Sequence, residues 1–208
     1  MKRSPSRLAF APALALAAAL VLDACGSTPP VHFYSLVPPP AAAAARAARF
    51  RIDVQDVDLP AQVGVPQIVV RTGPEELVPV ETRRWIAPLA EEIRNALSVD
   101  LGNRLDAQDI HGQAYAAGDL PVYRIGVAVQ RFDSALGAYA RIDAQWSLST
   151  AGRPGALSCF TSATETVPEG YEALAAGHQR ALAHIADAIA AAVSAVRQNG
   201  TPPTCPTA

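Results

Sequence analysis

The chain has 208 residues, half of them hydrophobic, and a formal net charge of −2 at pH 7. Charges of both signs are interspersed and no basic cluster occurs, so nucleic acid is excluded as a partner on electrostatic grounds. Lys2 is the only lysine; a codon bias toward Ala, Arg and Pro accounts for that without invoking a phosphate- or carboxylate-binding role.

An apolar run extends from Leu8 to Leu22, preceded by Lys2, Arg3 and Arg7. As a helix it would cover about 22 Å, short of a hydrocarbon core roughly 30 Å thick. A positive start, a short apolar stretch and small residues are the layout of an export signal. The run closes on Leu22-Asp23-Ala24-Cys25, which resembles the bacterial lipobox: a Leu three positions before a Cys, with a small residue between. In that motif the Cys thiol takes a diacylglycerol and cleavage makes the Cys the first residue. Residues 1–24 are then a lipoprotein signal peptide and Cys25 the lipidation site. Asp23 departs from the pattern, in a slot that usually holds a small or apolar residue, and bears on processing. The other readings are an ordinary secretory signal that happens to contain a Cys, and a spanning anchor. Gly26 follows the Cys, where an Asp would tend to retain a lipoprotein in the inner membrane, so the resemblance implies the periplasmic face of the outer membrane. Several acyl chains, palmitate among them, would anchor stably where a single chain is marginal. Loss of three cations and one Asp with the signal takes the formal charge to −4.

Residues 25–30 form the lipidated Cys and a tether. Gly26 to Pro30 can extend at most about 18 Å, which holds the following domain close to the membrane. "VHFYSL" is the first plausible strand, and "VPPPAAAAARAAR" is low-complexity sequence with no assigned role. In "FRIDVQDVDLP", Phe50, Ile52 and Val54 alternate with polar residues before Val57 and Leu59 take over the phase, so a strand with a bulge near Asp56 is expected. "PQIVVR" and "ELVPVE" read as short strands around the turn signal "TGPE". From Trp85 the period changes: Leu89, Ile93, Leu97, Leu101 and Leu105 recur every fourth residue behind Pro88, with Asp100 and Arg104 spaced for an ion pair. "VYRIGVAVQRF", "AYARIDAQWSLS" and "ALSCFTSATETV" alternate cleanly and are joined by connectors of hairpin length, an antiparallel meander. The last element is a helix with Leu174, Leu182, Ile185, Ile189, Val193 and Val196 on one stripe. The expected architecture is α+β: a two-layer sandwich of an antiparallel sheet (meander at about 122–167) packed by two helices (about 86–105 and 170–197), forming one domain over 31–197.

Cys159 and Cys205 are an even pair beyond the anchor, and an oxidising compartment favours a disulfide between them that would pin the Pro-rich tail 198–208. Two Cys with no nearby His cannot supply a zinc site. The chain has no nucleophile elbow, phosphate-binding glycine loop or zinc-protease motif. His178 and His184 lie about 120° apart around their helix and cannot share a metal; His178 reads as a satisfied residue at the edge of the core. His32 and His111 have no local partner. Glu91 and Glu92 point to different sides of a helix, and "NGT" at Asn199 is a chance match to a glycosylation acceptor. No catalytic residues, metal or cofactor are expected. Two features are candidates for a partner or oligomer interface: the row Tyr139, Arg141, Asp143 and Gln145 on the outer side of the meander, and the cluster Arg83, Arg84 and Trp85.

The lipobox, "FYSL", "PQIVVR" and "RRWIAPLAEEIRNAL", in that order, resemble the PqiC-type auxiliary lipoproteins of ABC-type transport systems over about residues 25–197. The resemblance implies a non-enzymatic component on the periplasmic face of the outer membrane. It would dock the end of a lipid conduit formed by MCE-domain proteins, as a ring-like homo-oligomer, and support membrane integrity. Only Cys25 carries over residue by residue. Competing readings are an assembly factor for lipopolysaccharide or outer-membrane proteins, a periplasmic lipid- or glycan-binding module, and a weak hydrolase.

Overall fold

The structure, a computed structural model, describes residues 29–39, 49–114, 120–199 and 204–205. The signal segment and Cys25, most of the Ala-rich stretch and the greater part of the tail lie outside the described residues. The chain divides into two compact units, Met1–Pro30 and Val31–Ala208, and the elements below belong to the second. In chain order they are β1 (His32–Tyr34), β2 (Arg51–Asp58), a 3-10 turn (Ala61–Val63), β3 (Gln67–Arg71), β4 (Leu77–Trp85), α1 (Leu89–Leu105), β5 (Gln108–Asp109), β6 (Val122–Ala135), β7 (Tyr139–Thr150), β8 (Ala156–Thr166) and α2 (Tyr171–Asn199).

The strands form two sheets, one of five in the order β5-β2-β6-β7-β8 and one of three in the order β1-β4-β3. The α+β class holds, and β6, β7 and β8 are the antiparallel meander expected from their alternation. The larger sheet is mixed, however, because β2 runs parallel to both β5 and β6. β2 reaches β6 only after β3, β4, α1 and β5 have intervened, and a long crossover of that kind returns a strand in parallel. The second sheet is mixed too, β1 running parallel to β4 and β3 antiparallel to it.

Two bulges set which side chains face inward. In β2 the register shifts between Val54 and Val57, bringing Val57 back to the buried face after Ile52 and Val54. In β6 a shift between Val129 and Arg131 turns Phe132 and Ser134 inward and leaves Arg131 opposite Asp143. The buried face of the large sheet carries Ile125, Val127, Ile142, Ala144, Trp146 and Leu148. α1 packs over β2 and β5, and α2 over β7 and β8. Their apolar stripes, Leu89, Ile93, Leu97 and Leu101 on α1 and Leu174, Leu182, Ile185 and Ile189 on α2, are at most 3% exposed. Each such side chain contributes about 1.5–3 kcal/mol by leaving water.

Local chemistry sets the boundaries of these elements. Pro88 caps α1 without needing an N–H, Glu91 and Glu92 favour its positive N-terminal end, and Asp106 ends it in the left-handed conformation (φ 49°). Asp100 and Arg104 pair at 2.9 Å, and Arg104 also reaches Asp187 of α2 at 2.6 Å, joining the helices. α2 runs so close to the sheet at Gly177 that an added Cβ would meet Val167 Cγ1 and lie 3.0 Å from Ala140 Cβ. Trp146, 1% exposed, still satisfies its indole N–H on Thr161 Oγ1 at 2.9 Å.

Candidate interaction surface

The outer face of the meander is built from alternate residues of three strands. Tyr139, Arg141, Asp143 and Gln145 of β7 face Thr166, Thr164, Ser162 and Phe160 of β8, and Arg131 and Asp133 of β6 lie on their other side. Two carboxylates organise this face. Asp133, 3% exposed, receives both of its oxygens' hydrogen bonds from Arg71 Nε, at 2.8 and 2.9 Å, and a longer one from the Tyr139 hydroxyl at 3.4 Å. Arg71 ends β3 and also donates to the Pro74 carbonyl, so this ion pair fastens the small sheet to β6. Asp143, 7% exposed, accepts from Arg141 Nε at 2.9 Å and from Ser162 Oγ at 2.6 Å, with Arg131 Nε at 3.4 Å.

These contacts set the charge state of Asp143. Burial pushes the Asp143 carboxyl up, but the hydrogen bonds from Arg141 and Ser162 and the arginine charges outweigh it and hold the group below its ordinary value. Hydrogen bonding to Asp133 pushes the Arg71 guanidinium up, and hydrogen bonding to Asp143 does the same for Arg141. A carboxylate held ionised between arginines is a poor proton shuttle at neutral pH and a good fixed charge. Phe160, 57% exposed, stands beside this charged row opposite Gln145. Sequence reading missed it, although the period-two alternation that turns Cys159 inward must turn Phe160 outward.

The cluster at Arg83, Arg84 and Trp85 is split by the structure. The residues end β4, ahead of α1, and strand alternation sends neighbours to opposite sides. Trp85 is 4% exposed and sits edge-on to Phe132 and His178, at ring separations of 6.0 and 6.4 Å. Its side chain belongs to the core. The Arg83 guanidinium lies 5.2 Å above the Tyr171 ring, while Arg84 turns outward to Glu81.

A third arrangement was invisible in the sequence. The segment after β1 is pinned between both helices. Glu92 Oε2, on α1, accepts from the Ser35 hydroxyl and the Leu36 N–H, each at 2.7 Å. Gln179 of α2 donates to the Ser35 carbonyl at 3.1 Å, and the Tyr34 hydroxyl approaches Glu172 at 3.4 Å. Leu36 is fully buried.

His178 is fully buried, stacked on Phe132 at 4.0 Å and paired with Ser134 Oγ at 2.8 Å through Nε2. Burial depresses its pKa to about 3, so it is neutral at physiological pH. It lies inside the core, not at its edge. His111 approaches Asp53 and Asp56, and His184 lies 3.0 Å from Glu165. Among the described residues no group of three His, Cys, Asp or Glu side chains could hold a metal ion, and no helix is long and apolar enough to cross a membrane. Cys159 of β8 is bonded to Cys205, which ties the tail to the sheet.

The described residues form an α+β domain whose meander carries a charged outer face. The chain belongs to the family of ABC-type transport auxiliary lipoprotein components, whose description matches residues 34–190. That is a family of transport components and not of enzymes. Two crystal structures share the fold. One is of an uncharacterized protein, with TM-score 0.62 and 17% identity, covering 79% of this chain and 99% of that one. The other is of a Xanthomonas campestris protein, with TM-score 0.61 and 17% identity, covering 81% and 99%. No curated protein matches the chain.

Proposed function

We propose that the protein is the outer-membrane lipoprotein of an ABC-type lipid transport system, a non-enzymatic component that docks an MCE-domain conduit and so supports membrane integrity. In this reading residues 1–24 are removed, Cys25 carries the lipid, residues 31–197 form the docking domain and the tail 198–208 is held by Cys205. Gly26 after the lipidated Cys favours the outer membrane. Copies of the domain assemble into a ring around the end of the conduit.

The observation that carries the proposal is the pinning of Ser35 and Leu36 by Glu92 and Gln179. The chain becomes rigid within about ten residues of Cys25, which suits a part that must hold a fixed position at a membrane and not a free-ranging binding protein. The Tyr139–Arg141 face supplies the docking surface, since its ionic groups are already held in place and binding need not order them.

The test is an affinity pull-down from detergent-solubilised envelopes, comparing wild type with Cys25→Ala and Arg141→Ala. Recovery of an MCE-domain protein by wild type, reduced in both variants, is the expected result. Recovery of outer-membrane assembly factors with no MCE-domain protein would overturn the assigned pathway.

A further inference from the structure

Val31, Phe33 and Ile86 are large apolar side chains left 40%, 57% and 60% exposed at one end of the small sheet. Val31 and Phe33 are two residues apart, and Phe33 lies opposite Arg84 in the parallel β1–β4 register, so these three share a face. Ile86 continues the chain past β4 and is held beside β1 by its N–H, which donates to the Tyr34 carbonyl at 2.9 Å. Exposed apolar residues scattered singly are ordinary, but a group of them on one edge marks a contact surface. Its position along the chain indicates what covers it. Val31 follows Cys25 by six residues, so their Cα atoms are at most about 22 Å apart.

We propose that this patch seats in the interface of the membrane that carries the anchor. Phe33 and Ile86 enter the boundary between headgroups and acyl chains, while the half-buried Arg84 and the exposed His32 stay level with the phosphates. The proposal rests on the reading of Cys25 as the lipidation site. The anchor supplies affinity and the patch supplies orientation: a tether alone leaves the domain free to turn, whereas a second contact fixes its tilt. The hydrogen bonds from Ser35 and Leu36 to Glu92 make the patch rigid with the helices, so seating it aims the whole domain.

The experiment uses the mature protein reconstituted into phosphatidylethanolamine–phosphatidylglycerol vesicles, with and without brominated acyl chains. Variants Phe33→Trp, Ile86→Trp and Phe160→Trp are compared with wild type, whose Trp85 and Trp146 are buried and give the baseline. Bromine is expected to quench the added fluorescence roughly twofold at positions 33 and 86 and to leave position 160 unchanged, as insertion to the acyl boundary requires. Equal emission at all three positions overturns the proposal. So does an unquenched blue shift at position 33 that grows with protein density, which would assign the patch to a second copy. Mass spectrometry of the same preparation separates the two layers of the argument. An acylated Cys25 with unquenched Trp at 33 removes the patch alone, and an unacylated chain removes the anchor reading and this inference together.

Discussion

Glu92 and Ser35 stand 57 residues apart in sequence and meet at 2.7 Å, the hydroxyl donating to a carboxylate that is 3% exposed. The same oxygen takes the Leu36 N–H. Glu92→Leu therefore strands two polar groups and should cost about 2 kcal/mol, with Glu92→Gln recovering part of it. The local signature is accelerated hydrogen exchange at the Leu36 amide. Unchanged exchange there would show that the segment is held by its apolar contacts instead.

The Cys159–Cys205 bond closes a loop across a sequence separation of 46. The chain-entropy treatment gives it about 4 kcal/mol, and measured losses commonly fall between about 2 and that figure. Reduced wild type and Cys205→Ala should share one lowered denaturation midpoint. A midpoint that reductant does not move would mean the bond contributes nothing to stability.

His178 predicts a specific pH dependence. Its folded pKa, about 3, lies below the ordinary histidine value, so the unfolded chain takes up a proton that the folded chain refuses. Stability is fully present above about pH 6.5 and falls by about 1.4 kcal/mol per unit as the pH drops toward 3. The difference in unfolding free energy between wild type and His178→Gln, followed from pH 7 to pH 4, isolates this contribution. A pH-independent difference would contradict the buried neutral imidazole.

Gly177→Ala offers a contrast between local and tertiary effects. Alanine gains about 1 kcal/mol of helix propensity, yet the added methyl meets Val167 and Ala140, and overpacking costs about 1–3 kcal/mol. A net loss of about 1 kcal/mol is expected, larger for Gly177→Val. A more stable alanine variant in thermal unfolding would show that α2 can lift from the sheet at no cost.

The sequence carried the meander and both helices clearly because each has one buried face and a sustained period. Val127, Ile142 and Trp146 mark one side of the sheet as directly as Ile93 and Leu97 mark a helix. The parallel pairing of β2 was illegible, since alternation at Ile52 and Val54 says which face is buried and not which strand lies alongside. Burial of Trp85 was illegible, because the residue falls between the strand pattern of "ELVPVE" and the helical period that starts at Leu89, where neither pattern says which way it faces. The outer row at Tyr139 and Arg141 was readable from alternation. Burial of Asp143 and the clamp from Arg71 were not, because their partners come from β6, β8 and another sheet. Glu92 reads in the sequence only as one of two adjacent carboxylates on different sides of a helix; its role depends on a segment brought back from far upstream.

The parallel register of β1 on β4, with three residue pairs from His32 to Tyr34, sets how the domain bears load. A pull on the N-terminus along the strand axis stresses the ladder hydrogen bonds and the Glu92 contacts together, in shear. A pull across the strand opens them one at a time. Mechanical resistance at this end of the molecule therefore depends on direction, strong along β1 and weak across it.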